Sequence, residues 1–206
     1  IQPMTSPYSQ TPWSQPFETF ADWFEQAKSS ELNDPNAMSL ATVDEGGQPS
    51  VRIVLLKEFS QAGFVFYTNT LSRKGRALAN EPRAALAFHW KSLQKQVRVE
   101  GVTEAVTDEE ADAYYNSRAR GSRLGAWASH QSQALTDRQE LIDRWQHLQQ
   151  EYPEGAAIPR PAHWSGYRLR PTAIELWQDG EFRLHQRWRY EADDVQQSWR
   201  VSLLNP

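Results

Sequence analysis

The chain contains no cysteine, which excludes disulfides, zinc–thiolate and iron–sulfur sites and a cysteine nucleophile. It has no apolar run approaching the roughly 20 residues that cross a bilayer, and no basic segment followed by an apolar one near its N-terminus. A soluble, cytoplasmic protein without a membrane partner is therefore expected. A basic excess is missing as well: 22 Lys and Arg stand against 26 Asp and Glu, a net charge of −4. That balance argues against a nucleic-acid-coating surface and confines any anion site to a local cluster. GxGxxG, Walker and GxSxG loops are absent, and so is strand–helix–strand alternation, which removes support for a Rossmann site, a P-loop and an α/β-hydrolase triad. His89, His130, His147 and His163 lack the spacing of metal ligands, and no metal is expected.

What is abundant is aromatic: nine Trp, eight Phe and seven Tyr among 206 residues. They suit a packed β core or an extensive subunit interface. Pro3, Pro7, Pro12 and Pro16 among Ser, Thr and Gln point to a flexible arm over residues 1–16, leaving 17–206 as one domain. Apolar Phe17, Phe20, Ala21, Phe24 and Ala27 recur at helical spacing, so a helix follows the arm. Short β-prone runs then occur at 38–43, 50–57, 63–68, 84–90 and 96–106, with Gly101 marking a bulge, and again at 164–169, 173–177, 182–190 and 199–204. A short helix over 72–80 interrupts the third and fourth strands. Two capping boxes, Thr107–Glu110 and Thr136–Gln139, open helices reaching about 120 and 151, a helical insertion at about 107–151. The expected class is mainly β with peripheral helices, a closed or nearly closed antiparallel barrel.

Three clusters could carry chemistry. Strand alternation over 182–190 puts Arg183, His185, Arg187 and Arg189 on one face and Phe182, Leu184, Trp188 and Tyr190 on the other. A solvated outer face is the plainer reading, but like charges two residues apart repel unless an anion or carboxylate lies between them. Arg73 and Lys74 occupy the first turn of a helix whose dipole already makes that end positive; a phosphate there would reverse the sign of the effect, and a solvated helix start is the alternative. Tyr114, Arg118 and Ser122 recur every four residues and could hold a phosphate-sized anion, unless they are a surface pair on a helix that Gly121 ends.

With these residues in place, the chain resembles the pyridoxamine 5′-phosphate oxidase family, through NAMSLATV, RIVLLK, FYTN, SRKG, QVRVEG, GAWAS followed by QS, GYRL, and IELWQ followed by RLHQR. The resemblance implies an FMN-binding split β-barrel of antiparallel, Greek-key type, and a homodimer with FMN at the interface. It implies oxidation of pyridoxine 5′-phosphate and pyridoxamine 5′-phosphate to pyridoxal 5′-phosphate, with O2 as acceptor and hydrogen peroxide as by-product. Cofactor contacts would fall on Arg52, Ile53, Val54, Leu55, Leu56 and Lys57, on Tyr67, Thr68, Arg73 and Lys74, and on Gln96, Gln131, Ser132, Trp177 and Arg187. Substrate contacts would fall on Lys57, Tyr114, Arg118, Ser122, Arg183 and His185, with Arg183 and His185 nearest the reacting carbon. The chain departs from the family pattern at Ala119, where the family has Pro, at Ser165 and Asp179, where it has Gly, and at Gln186, where it has Asp. An FMN oxidase of a phenazine precursor, or a non-catalytic FMN or pyridoxal phosphate carrier, are the alternatives.

Overall fold

A computed structural model describes residues 6–206. In chain order the elements are β1 (Tyr8–Pro12), α1 (Gln15–Ser30), β2 (Ala37–Val43), β3 (Pro49–Leu55), β4 (Glu58–Ser60), β5 (Gly63–Asn69), α2 (Arg73–Asn80), β6 (Arg83–Trp90) and β7 (Lys95–Ala105). They continue with α3 (Asp108–Ser117), α4 (Arg120–Ala128), α5 (Arg138–Glu151), β8 (Trp164–Gln178), β9 (Gln186–Asp193) and β10 (Ser198–Leu203). The strands form one antiparallel sheet in the order β1-β10-β9-β8-β7-β6-β2-β3, with β4 and β5 branching from β8. The sheet curls without closing, as a split barrel does, and the helices lie at its periphery.

The split has a local cause. One edge of β8 pairs with β7 along its length, whereas the other edge serves β5 with Trp164–Leu169 and β9 with Ala173–Gln178. Between them sits Pro171, which has no N–H to donate to a ladder, and the β7 register slips there at Glu100/Gly101. A Cβ on Gly101 would lie 2.1 Å from the Arg170 carbonyl oxygen, so only glycine lets the two backbones meet at the bulge. The two strands expected over 164–169 and 173–177 are thus one long strand, bulged where the sequence carries its proline.

The aromatic surplus fills the barrel. Residues of α1 at helical spacing, Phe17, Phe20, Trp23, Phe24 and Ala27, are buried against Phe64, Phe88 and Trp90 of the strands. Phe20 is the centre, meeting Phe59, Phe64 and Phe88 edge-on at 4.8, 5.1 and 5.1 Å. Truncating such a ring to alanine costs on the order of 3–5 kcal/mol.

Other elements also differ from the sequence-based expectation: the helix expected to open on a Thr136–Gln139 capping box is capped instead by Asp137, whose carboxylate accepts from the Gln139 N–H at 2.9 Å. Where proline content pointed to an unordered arm, Tyr8–Pro12 pair with β10, and Pro12 is tolerated because it closes an edge strand. Trp13 then stacks on the buried Trp199 at 4.3 Å, whose indole N–H donates to the Trp13 carbonyl at 2.8 Å. Residues 1–5 of that arm lie outside the described residues. The single helix expected to run to about residue 120 breaks after Ser117: Arg118 is extended (φ −74°, ψ 151°), and a second helix starts from Ala119.

Candidate active site

The RIVLLK segment leaves β3 on the edge of the sheet and divides its side chains. Leu56 turns into the core, Arg52 is half-buried behind the strand, and Ile53, Val54, Leu55 and Lys57 line a cleft of about 680 Å³. Facing them are Tyr67 and Thr68 of β5, Lys74 of α2, Tyr114 of α3, Arg118, Ser122 of α4 and Gln131 of the following loop. No carboxylate lines this cleft among the described residues.

One end is built by α2. The Ser72 hydroxyl caps the helix by accepting from the Gly75 N–H at 3.3 Å, leaving Arg73 and Lys74 in the first turn without an acidic neighbour there. Lys74 donates to Gln131 Oε1 at 2.9 Å, and the Thr68 hydroxyl donates to the same oxygen at 3.2 Å. Burial, and then repulsion from Arg52, pull the Lys74 ammonium down to a pKa of about 8. Arg52 is lowered as well, by burial and then by Arg73. Its guanidinium donates to the Leu40 carbonyl and the Thr42 hydroxyl, neutral acceptors that leave its charge uncompensated. Arg73 reaches only Asp44, at 4.0 Å, and does not line the cleft.

The other end is an aromatic stack carrying cations. Tyr67, Tyr114 and Trp164 form a mutually stacked cluster, nearly parallel, with ring centroids 4.2, 5.4 and 5.9 Å apart. The Arg118 guanidinium sits 4.7 Å over the Trp164 ring, and Lys57 lies 5.7 Å from that of Tyr114. Such contacts offset part of the cost of burying a cation. Even so, Arg118 Nη1 is buried with no hydrogen-bond partner, and burial lowers the pKa of its guanidinium. An unpaired buried donor on a charged group costs about 1–3 kcal/mol or more. The break between α3 and α4 is what brings the trio together: Tyr114, Arg118 and Ser122 are not one helical stripe but line two helices and the corner joining them.

The remaining sequence-predicted residues lie elsewhere on the chain. Trp177, Arg183 and His185 line a second cleft of about 320 Å³ with His89, Lys91, Gln94 and Asp179. Gln96, Trp177 and Arg187 share one cross-strand row on β7, β8 and β9. Ser132 adopts a left-handed φ of 69° in the loop after α4 and lines a third hollow with Gln131. The expected strand over 182–190 begins only at Gln186. Before it, Glu181–Arg183 form a 3-10 turn in which Phe182 and Arg183 are left-handed (φ 57° and 65°). Phe182 and Leu184 are therefore 90% and 68% exposed rather than inward-facing. Of the four basic residues, only Arg187 and Arg189 share a strand face, and carboxylates lie between and beside them: Arg187 donates to Glu175 at 2.9 Å and Arg189 to Glu100 at 3.2 Å.

Sequence reasoning missed Trp164, which floors the first cleft, and Asn69, although FYTN contains the latter. It also missed Glu175, a carboxylate only 3% exposed beneath Arg187. Strand alternation two residues apart on β8 was the signal available for Glu175. The donor set fits a ligand with a planar ring and a phosphate: flat aromatic surface, apolar β3 side chains, and Lys57, Lys74 and Arg118 with no carboxylate to neutralise them.

Comparison with known proteins agrees with that fit. Residues 24–151 match the family model described as pyridoxamine 5′-phosphate oxidase, and 164–206 match the pyridoxine 5′-phosphate oxidase C-terminal dimerisation region. The chain is 54% identical to the pyridoxine/pyridoxamine 5′-phosphate oxidase of Rhizobium johnstonii over 93% of both chains. It is 55% identical to that of Novosphingobium aromaticivorans over 95% of both. Among solved structures, PhzG from Burkholderia lata in complex with tetrahydrophenazine-1-carboxylic acid superposes with a TM-score of 0.87 at 32% identity, covering 94% of this chain and 93% of that one. An FMN-binding protein of Nostoc punctiforme related to pyridoxamine 5′-phosphate oxidase (TM-score 0.74, 20% identity) shares the fold over 96% of this chain and 100% of its own. A carboxylate-free cationic cleft on a split barrel, with both family models matched in order along the chain, places this protein in the pyridoxamine 5′-phosphate oxidase family.

Proposed function

We propose that the protein oxidises pyridoxine 5′-phosphate and pyridoxamine 5′-phosphate to pyridoxal 5′-phosphate as a homodimer, with FMN as resident cofactor and O2 as electron acceptor, releasing hydrogen peroxide. The observation that carries this reading is the buried, unpartnered Arg118 Nη1 in a cleft without carboxylates. A ligand phosphate supplies the missing acceptor. Bound FMN would supply the hydride acceptor and the route by which electrons reach O2.

The protein's own residues bind and orient. Arg73 and Lys74 hold the cofactor phosphate at the amino end of α2, where helix dipole and side-chain charge act together. Lys57, Tyr114, Arg118 and Ser122 grip the substrate phosphate. That grip is remote from the reacting carbon, so its binding energy can hold the carbon in an attack geometry. Arg183 and His185 face the reacting substituent, and Arg187 lies against the flavin ring. On one chain these last residues line a different cleft from the phosphate grip. The match to a dimerisation region covers all three, and it supports a site that one copy begins and the second completes.

The test is to load the purified protein with FMN and follow peroxide and aldehyde from both phosphate esters and their unphosphorylated forms. Turnover of the esters alone is expected. Flavin retention without turnover of either ester refutes the reading. The similarity to PhzG favours a second reading, oxidation of a reduced phenazine carboxylic acid. Turnover of tetrahydrophenazine-1-carboxylic acid in preference to the esters would establish it; that ligand carries a carboxylate and no phosphate for the four-residue grip.

A further inference from the structure

The turn joining β8 to β9 is held in an unusual shape. The Asp179 N–H donates to the Gln94 carbonyl at 2.9 Å. A Cβ on Gly180 would lie 2.2 Å from the Leu184 carbonyl oxygen. Phe182 and Arg183 take left-handed φ values of 57° and 65°, a conformation non-glycine residues keep only where the surroundings enforce it. This turn folds His185 back, so that its Nδ1 lies 2.9 Å from Asp179 Oδ1 and 3.2 Å from the Gly180 nitrogen. The ring leans on Trp177, 4.9 Å between centroids.

The two neighbours of Nδ1 demand opposite tautomers. The Gly180 N–H can donate only to an unprotonated Nδ1, which places the ring proton on Nε2. The Asp179 carboxylate can only accept, which requires the proton on Nδ1. The Gly180 contact has hydrogen-bond geometry, and Asp179 Oδ1 lies within ion-pair distance of the same nitrogen; a bond to a carboxylate is roughly twice as strong as one between neutral groups, so a small rotation of the ring toward Asp179 decides the tautomer. The other ionisable side chains lining this cleft are His89, Lys91 and Arg183, so Asp179 is its only carboxylate among the described residues.

We infer that Asp179 is a positioning residue that holds His185 as the Nδ1–H tautomer and so presents the Nε2 lone pair to the substrate as its proton acceptor. The inference rests on the proposed oxidation. In the alcohol reaction the carbon bearing the hydroxyl gives up a hydride, which bound FMN takes. The hydroxyl oxygen gives up a proton, which Nε2 takes. One C–H and one O–H bond break, and the C–O bond becomes double.

The test uses the FMN-loaded protein with 15N-labelled histidine, at about pH 8.5, where an ordinary imidazole is neutral. Nitrogen chemical shifts report the tautomer, and the His185 signals are identified by their loss in His185→Gln. The wild-type ring is expected as Nδ1–H. In Asp179→Ala the ring should switch to Nε2–H as Gly180 becomes its partner. The kcat for pyridoxine 5′-phosphate should then fall about ten- to a hundredfold, a part of the usual general-base contribution, with KM changed less than about twofold. Asp179→Glu should restore part of both. A wild-type ring that is Nε2–H or doubly protonated at that pH overturns the inference, as does an Asp179→Ala protein whose tautomer and kcat are unchanged. Wild-type holoprotein that turns over neither ester defeats the oxidase reading instead, and the nitrogen spectra still decide the Asp179–His185 contact.

Discussion

Lys74 gives the assignment of the cofactor phosphate its sharpest test, because its depressed pKa makes FMN affinity depend on pH in a calculable way. With a pKa of about 8 in the ligand-free protein, the charged fraction falls from roughly nine-tenths at ~pH 7 to one-tenth at ~pH 9. A phosphate beside the ammonium favours its charged form and raises its pKa in the complex. FMN binding above about pH 8 must then be accompanied by proton uptake. The sign follows: affinity is full below the ligand-free pKa and is lost as pH rises through it. FMN Kd, measured by quenching of flavin fluorescence, should weaken about tenfold between ~pH 7 and ~pH 9, the ratio of the two charged fractions. Guanidinium groups stay charged across this window, so the slope belongs to Lys74. Lys74→Met removes the charge and the slope together: Kd should be about tenfold weaker or more at ~pH 7 and flat to ~pH 9. A wild-type Kd independent of pH, or a Lys74→Met protein retaining the slope, refutes the placement of phosphate at Lys74.

Arg118→Ala should raise KM for the phosphate esters by about ten- to a thousandfold with little change in kcat, while Arg183→Ala should lower kcat; equal effects of both on flavin retention contradict that division of roles. Ala119 has φ −55° and follows an extended Arg118, a geometry that suits proline and the residue before it. Ala119→Pro should raise stability by about 0.4–1 kcal/mol in urea melts; a loss would mean that the α3–α4 corner is not formed as described. Gly101→Ala should cost ~1–3 kcal/mol by forcing the β7 and β8 backbones apart, and an unchanged urea midpoint would remove the bulge as the cause of the split.

Local pattern carried much of this fold. Helical spacing of Phe17, Phe20 and Phe24 identified α1, whose aromatic face packs on the sheet, and the capping box at Thr107–Glu110 is formed with both of its hydrogen bonds. Both are short-range effects that need no knowledge of partners. The first strand was hidden because its prolines and polar residues give no β pattern, and only its pairing with β10 makes it one. Alternation failed over Phe182–His185 for a related reason. A period of two is a property of extended backbone, and this turn is bent by the Gly180–Leu184 approach and by left-handed Phe182 and Arg183, neither of which is encoded in residue polarity.

The sequence by itself determined the chemistry available: no thiol, and cations at Lys57, Lys74, Arg118 and Arg183, with His185 beside the last, in an acidic chain. It also determined the strand that leads to Lys57 and the helix start that carries Lys74, but neither the corner at Arg118 nor the turn of Arg183 and His185. Tertiary structure decided which of those cations share a cleft and which carboxylates reach them. The corner at Arg118 gathers Tyr114, Arg118 and Ser122 where a straight helix would have displayed them along its side. The β8 bulge separates that cleft from the one holding Arg183 and His185. Glu175 neutralises Arg187, while among the described residues no carboxylate lines the cleft beside Lys74 and Arg118. Charge is a property of residues, whereas compensation of charge depends on distances between segments far apart in the chain.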